Sequence, residues 1–305
     1  MNSFIELVGV SLNNVSPDLL VYLAIDVSIA ILLLGAMRFL SGLSAKVNST
    51  EELAKEDNFA FGISVAGSIL ALGIVLTGAI TGDEASSYAM EAIGMLAYGG
   101  YGLILIKIGR VIHDKVALHH LDKNALIIEK NLTIGIIDAA GVIATAIVIR
   151  AVFIWVDGLD LNTFIAITSG FIIAQTMLVI VTRLREKQYA KNNQGDSLQE
   201  ALSKGQLALA IRYSGQAIST ALAVTAASNF LTYSPETLAI NLLGWLVFSI
   251  VMTVLVWLLT AVAKRIVLWG IDLVEEVDQQ HNVGVASIEM ATSIAIAMIL
   301  TSLMA

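Results

Sequence analysis

The chain has 305 residues, 57% of them hydrophobic and only 14% charged, with two prolines and no cysteine. A soluble domain carries about 25% charge, so this composition excludes an ordinary soluble fold. The missing cysteines exclude disulfides, iron–sulfur clusters and thiol chemistry. The formal charge of −8 marks no partner, because the polar segments mix acids and bases, and nothing points to nucleic acid.

Residues 1–17 lack a basic start, and the first apolar stretch, 19–42, is long enough to span, so it is expected to stay as a helix rather than be cleaved. Seven more stretches follow, at 59–80, 88–106, 132–156, 163–181, 207–231, 238–262 and 283–304. A bilayer-crossing helix needs about 20 residues and a barrel strand about 10. The expected fold is therefore all-α: a polytopic membrane helical bundle of eight transmembrane helices.

Lysine and arginine fix the expected orientation. Of the 17, 15 lie at or near alternate ends of the stretches. They are Arg38, Lys46 and Lys55; Lys107, Arg110, Lys115, Lys123 and Lys130; Arg183, Arg185, Lys187, Lys191 and Lys204; and Lys264 and Arg265. The opposite ends carry Asp18, Asp83, Glu84, Asp157, Asp160 and Glu236. The positive-inside rule places the four basic connectors in the cytoplasm and both termini outside. Segments 107–131 and 264–282 read as helical hairpin arms continuing the third span of each half into the cytoplasm. Segment 185–205, with its Asn192-to-Ser197 polar run, reads as a flexible loop.

The stretches follow one rhythm twice. Around the second span of each half, Asn58-Phe-Ala-Phe-Gly62-Ile matches Gln206-Leu-Ala-Leu-Ala210-Ile, and Gly67 falls on Gly215. At the fourth span Asn131 matches Asn282, followed at the same distance by Asp138 and Glu289, while Gly94 matches Gly244 in the third spans. This order implies a tandem duplication, divided at the short turn Asp157 to Asn162: a first unit over 1–157 and a second over 158–305. A unit with an even number of spans repeats in the same direction, which suggests parallel repeats about a pseudo-twofold axis along the membrane normal. The matched residues Asn58, Gly62, Gly67, Asn131, Gln206, Gly215 and Asn282 are expected to serve packing.

Charges at membrane depth are the candidate site. Each costs about 2.5–3.5 kcal/mol on insertion scales and needs a partner or a purpose. Asp26, Asp138, Arg212 and Glu289 stand out. The last three lie in one layer, roughly 10 Å in from the cytoplasmic boundary at 1.5 Å rise per residue. Arg212 is expected to bridge Asp138 and Glu289, or to pair with one of them. The first-half equivalent of Arg212 is Ser64, so the halves are not chemically interchangeable. Two uses remain open: a buried ion-pair layer that fixes packing, or a proton or cation site formed by an incompletely partnered carboxylate. Glu91 and Arg150, near outer ends, read as structural.

Other motifs carry little. Tyr98-Gly-Gly-Tyr-Gly102 sits within a continuous apolar stretch and has no glycine counterpart in the second half, so close helix packing explains it better than an ion filter. His113, His119, His120 and His281 fall in connectors, with no spacing for haem or a resident metal. No phosphate loop, nucleophile elbow or metalloprotease motif occurs. No cofactor, metal or enzymatic activity is expected.

The pattern Asn58-x-Ala60-x-Gly62-Ile63-x-x-Ala66-Gly67, with Asn131 opening a glycine- and alanine-rich span, resembles the YjfL-like bacterial inner-membrane family, domain of unknown function 350. This chain looks like two copies of that four-span unit in tandem, the second departing at Gln206 and Ala210. The resemblance implies a multi-pass protein of the bacterial inner (plasma) membrane and an envelope setting. It implies no catalytic residues. The resulting expectation is a structural or interaction protein in the lipid bilayer, with room for a cytoplasmic envelope-stress partner and for homo-oligomerisation. The competing expectation is a proton or cation pathway through the intramembrane carboxylates.

Overall fold

A computed structural model describes residues 17–80 and 86–304. Residues 1–16, and Asp83 and Glu84 of the acidic turn ends, lie outside the described residues. Those described form helices and connecting turns, with no strand among them. Among the described residues, eight helices are long and apolar enough to cross a membrane. In the first unit these are α1 (Pro17–Ala45), α3 (Phe59–Ile80), α4 (Tyr88–Ile112) and α6 (Leu132–Trp155). In the second they are α7 (Leu161–Asn192), α9 (Leu207–Ala226), α10 (Leu238–Val267) and α11 (Val283–Met304). Short helices α2 (Ser49–Ala54), α5 (Lys123–Ile128) and α8 (Leu198–Ser203) sit on the side of the basic connectors. The protein is a multi-pass membrane protein built from two tandem copies of one unit.

The connectors differ from their expected form. Segment 185–205 is mostly helix: α7 runs to Asn192, and α8 starts again at Leu198. Ser197 accepts a hydrogen bond from the Glu200 amide at 3.3 Å, and buried Leu198 and Leu202 anchor α8 to the bundle. The other two connectors do not project as arms. After α4 a π-turn over His113–Ala117 leads into a tight reversal, and α5 returns against the bundle with Leu118, Leu121, Lys123 and Ile127 buried. After α10 a π-turn over Val274–Gln279 takes the place of α5, with Val277 and Asp278 buried. Both reversals are held in by charges that find partners inside the bundle.

The matched asparagines have a local cause. Asn58 and Asn131 cap the first turns of α3 and α6, accepting from the amides of Phe61 at 3.0 Å and Ile134 at 3.3 Å. Asn282 does the same for α11, accepting from Val285 at 3.1 Å. Each leaves its side-chain amide free to tie a neighbouring segment: Asn58 to the Ile127 carbonyl, Asn131 to the Ser203 carbonyl and Asn282 to Glu276. Gln206 holds the equivalent place before α9 but makes no cap bond, and its Oε1 is buried without a partner. Its extra methylene carries the carbonyl past the amides that asparagine reaches. Gln206→Asn is therefore expected to stabilise the chain by about 1 kcal/mol, read as a rise in the thermal unfolding midpoint in detergent.

Gly67 and Gly215 are close-approach residues. A Cβ on Gly67 would lie 2.4 Å from the Ala139 Cβ, and one on Gly215 would lie 2.6 Å from the Met290 Cα. Thus α3 meets α6, and α9 meets α11, backbone to backbone, the arrangement small residues allow in lipid. Gly62 is not used in this way: its nearest neighbour is Leu53 at 3.6 Å. Gly67→Ala is expected to cost about 1–3 kcal/mol by overpacking, measured by the same unfolding assay. The Tyr98-to-Gly102 run lies within unbroken α4, where Gly99 and Gly102 admit Leu33 and Val75.

The two units do not face each other across a twofold axis. The best-packed spans form a row, α3–α6–α9–α11, in which the joint between units is α6 against α9. That joint pairs the fourth span of one unit with the second span of the next. A twofold would repeat it as α11 against α3, and those helices make no comparable packing. The units are instead stacked head to tail. The helices α1, α4, α7 and α10 flank this row.

Candidate functional site

Side-chain direction brings the charges together. Helical side chains lean toward the helix N-terminus. The spans α4 and α10 end at the basic connectors, so Arg110 and Lys264 lean back into the bundle. The spans α6, α9 and α11 begin there, so Asp138, Arg212 and Glu289 lean toward the connectors. Acids and bases from opposite strokes of the chain thus converge in one layer.

They form two clusters rather than one. In the first unit, Asp138 is 3% exposed and takes Arg110 at 2.7 Å and Lys123 at 3.2 Å. Ser64 donates to the same carboxylate, and Arg110 also reaches Ser68 at 2.8 Å. Lys123, itself 2% exposed, forms a second ion pair with Asp114. In the second unit, Glu289 takes Arg212 through Nε and Lys264 at 2.7 Å. Arg212 also pairs with Asp278 and donates to the Leu273 carbonyl at 2.8 Å, while Asn193 holds Asp278 at 3.0 Å. Arg212 therefore binds Glu289 and does not bridge to Asp138, whose place is filled by its own unit's cations.

Each cluster holds two cations and two carboxylates: Arg110, Lys123, Asp114 and Asp138 in one, Arg212, Lys264, Asp278 and Glu289 in the other. Only at the Asp138–Glu289 position do the two clusters carry the same charge. With Gly94 placed on Gly244, Arg110 falls on Thr260 and Asp114 on Lys264. With Asn131 placed on Asn282, Lys123 falls on Val274 and Asp278 on Ile127. The two units have kept neutrality while moving nearly every charge that provides it. That is what a low-dielectric site demands, since an unpaired charge there is costly and a paired one is tolerated.

In the sequence Arg110, Lys123 and Lys264 read as charges of the basic connectors, and Asp114 and Asp278 carry no signal of their own. The usable signal was the distance of Arg110 and Lys264 from the ends of α4 and α10, combined with side-chain lean. Nothing in the sequence alone announces the reversals that carry Lys123 and Asp278 inward.

His113 is also inside the bundle, pressed on Gly141, and links the units. Lys123 lies 2.9 Å from its Nδ1, and Tyr213 of α9 lies 2.6 Å from its Nε2. An ammonium has only donors, so Nδ1 accepts, and the ring proton on Nε2 donates to the Tyr213 oxygen. Beyond them lies a cavity of ≈ 20 Å³, with Gly141, Ala144, Gln175, Arg185 and Ala217 in its wall. That is room for about one water. Arg185 donates to Thr220 at 3.1 Å, and Gln175 to Thr145 at 3.2 Å.

The other candidates lie apart. Asp26, on α1, is 8% exposed; its carboxyl lies beside Glu91 of α4, and its Oδ1 has no hydrogen-bond partner. Arg150 donates to Thr77 at 2.9 Å. At the turn between units, Asp160 caps α7, and the bonds it accepts from Thr163 hold its carboxyl below the ordinary range. His119 lies 2.7 Å from Arg183; partial desolvation and that guanidinium lower its affinity for a proton. Among the described residues no group of three or more His, Asp and Glu is placed to hold a metal ion.

The profile of the domain of unknown function DUF350 matches the chain twice, over residues 11–153 and again over 158–304. The chain belongs to that family. No curated protein and no solved structure matches it.

Proposed function

We propose that the chain is a non-enzymatic structural and interaction protein of the bacterial inner membrane, whose two neutral charge clusters lock the spans at the connector side. The supporting observation is the saturation of both deep carboxylates: Asp138 by Arg110 and Lys123, Glu289 by Arg212 and Lys264. A carboxylate that trades ions needs an unfilled position, and neither has one. The basic connectors favour a cytoplasmic placement for that side, with both termini outside. The surface carrying α2, α5 and α8 is then the one available to a cytoplasmic partner of the envelope-stress response.

A proton- or cation-conducting protein is the second reading, and Asp26 favours it. The Asp26 carboxylate is buried on α1 with Oδ1 unpartnered, the kind of incompletely satisfied acid that a proton path uses. Flux in liposomes separates the readings. Purified protein is expected to pass no protons or monovalent cations above empty liposomes, across pH and voltage. Flux that disappears in folded Asp138→Asn/Glu289→Gln or Asp26→Asn would establish conduction instead.

A further inference from the structure

We infer that copies of this chain assemble head to tail in the membrane, with α3 of one copy docked on α11 of the next. The inference goes beyond the scaffold reading and stands whether or not the protein conducts ions. It starts from the joint already present inside the chain. There, Ile137, Ala140, Ala144 and Val148 of α6 are buried, and so are Ala210, Ser214, Ala217 and Ala221 of α9. Gly141, Ala144 and Thr145 of α6 line the same cavity as Tyr213, Ala217 and Thr220 of α9, which fixes these as the facing sides. Each set recurs at helical spacing, as one stripe.

A head-to-tail joint is made of two different faces, so a two-unit chain uses one of each and leaves one of each free. The free copy of the α6 face lies on α11, at Ile288, Ala291, Ala295 and Ile299. Ile288 is 44% exposed and Ile299 55%. The free copy of the α9 face lies on α3, at Gly62, Ala66, Ile69 and Gly73. A Cβ on Gly73 would meet nothing within 4 Å, whereas its counterpart Ala221 is wholly buried.

The spans that carry or flank these faces differ in the same sense. In the most apolar stretch of α6 78% of the residues are buried, against 28% in its counterpart α11; for α7 and its counterpart α1 the shares are 44% and 11%. The free faces are complementary by descent from a joint that packs, and small residues on one side let the other approach. The occupant that fits is therefore a second copy. His113 and Tyr213, which cross the internal joint, have no counterpart pair at the free faces, since Tyr213 falls on Val65. The joint between copies is accordingly apolar.

The chain contains no cysteine, so cysteine pairs report directly on this contact. Ile69 and Ala295 are the counterparts of Ala217 and Ala144, which share a cavity wall. In native membranes, Ile69→Cys/Ala295→Cys is expected to cross-link into dimers and longer species. Co-expressed Ile69→Cys and Ala295→Cys single variants are expected to give dimers. Either single variant alone is expected to give monomer. Ala144→Cys/Ala217→Cys, cross-linking within one chain, reports that the fold is native. Monomer alone from the double variant, with that internal control positive, overturns the inference. So does efficient dimerisation of Ile69→Cys by itself, which marks a twofold contact.

Discussion

Replacing Asp138 with asparagine is expected to destabilise the folded chain by about 3–5 kcal/mol, the cost of leaving a buried ionic cluster short of one partner. The substitution keeps the shape of the side chain, so it removes charge rather than volume. Arg110 and Lys123 would then share Asp114 alone, and Lys123 cannot swing to water because it is 2% exposed. Chemical denaturation in detergent micelles measures the loss. Adding Lys123→Met restores neutrality with a side chain of similar length, and replacing a buried ion pair with apolar groups is often near neutral. The double variant is thus expected to be more stable than Asp138→Asn alone.

Arg212→Ser is expected to cost a similar amount, about 3–5 kcal/mol, although the same replacement is what the first unit already carries. Ser64 is tolerated there because Arg110 and Lys123 supply the cations. The second unit has Thr260 and Val274 at those positions. Without Arg212, Asp278 and Glu289 would share Lys264, and the Leu273 carbonyl would lose its donor. Thr260 is buried, and its Oγ1 has no partner. Thr260→Arg, placing a guanidinium where the first unit has Arg110, is expected to recover part of the loss on the same denaturation curve. No recovery would mean that Thr260 does not occupy the place of Arg110 that the alignment assigns it.

The spans were legible because length, hydropathy and the positions of Lys and Arg act independently and agree. The duplication was legible in Asn58, Gly67, Asn131 and their counterparts, because helix caps and close approaches tolerate few residue types. The pairing of the charges was not. Periodicity says which face of a helix a residue occupies, but not which helix lies opposite. Arg212 and Asp138 share a layer yet belong to different clusters because Lys123 and Asp278 arrive from reversals in the connectors. Those reversals have no proline and little glycine, so they read as continuous polar helix. The head-to-tail order of the units was hidden for a related reason: an even number of spans fixes direction but not which faces meet.

If the buried charges form two self-contained neutral clusters, double-mutant cycles will separate one cluster from the other. Asp138→Asn with Lys123→Met, within one cluster, is expected to show a coupling above about 1 kcal/mol, whereas Asp138→Asn with Arg212→Met, across the two, is expected to be additive within about 0.5 kcal/mol. Strong coupling between Asp138 and Arg212, with little between Asp138 and Lys123, would instead mark a single bridged layer.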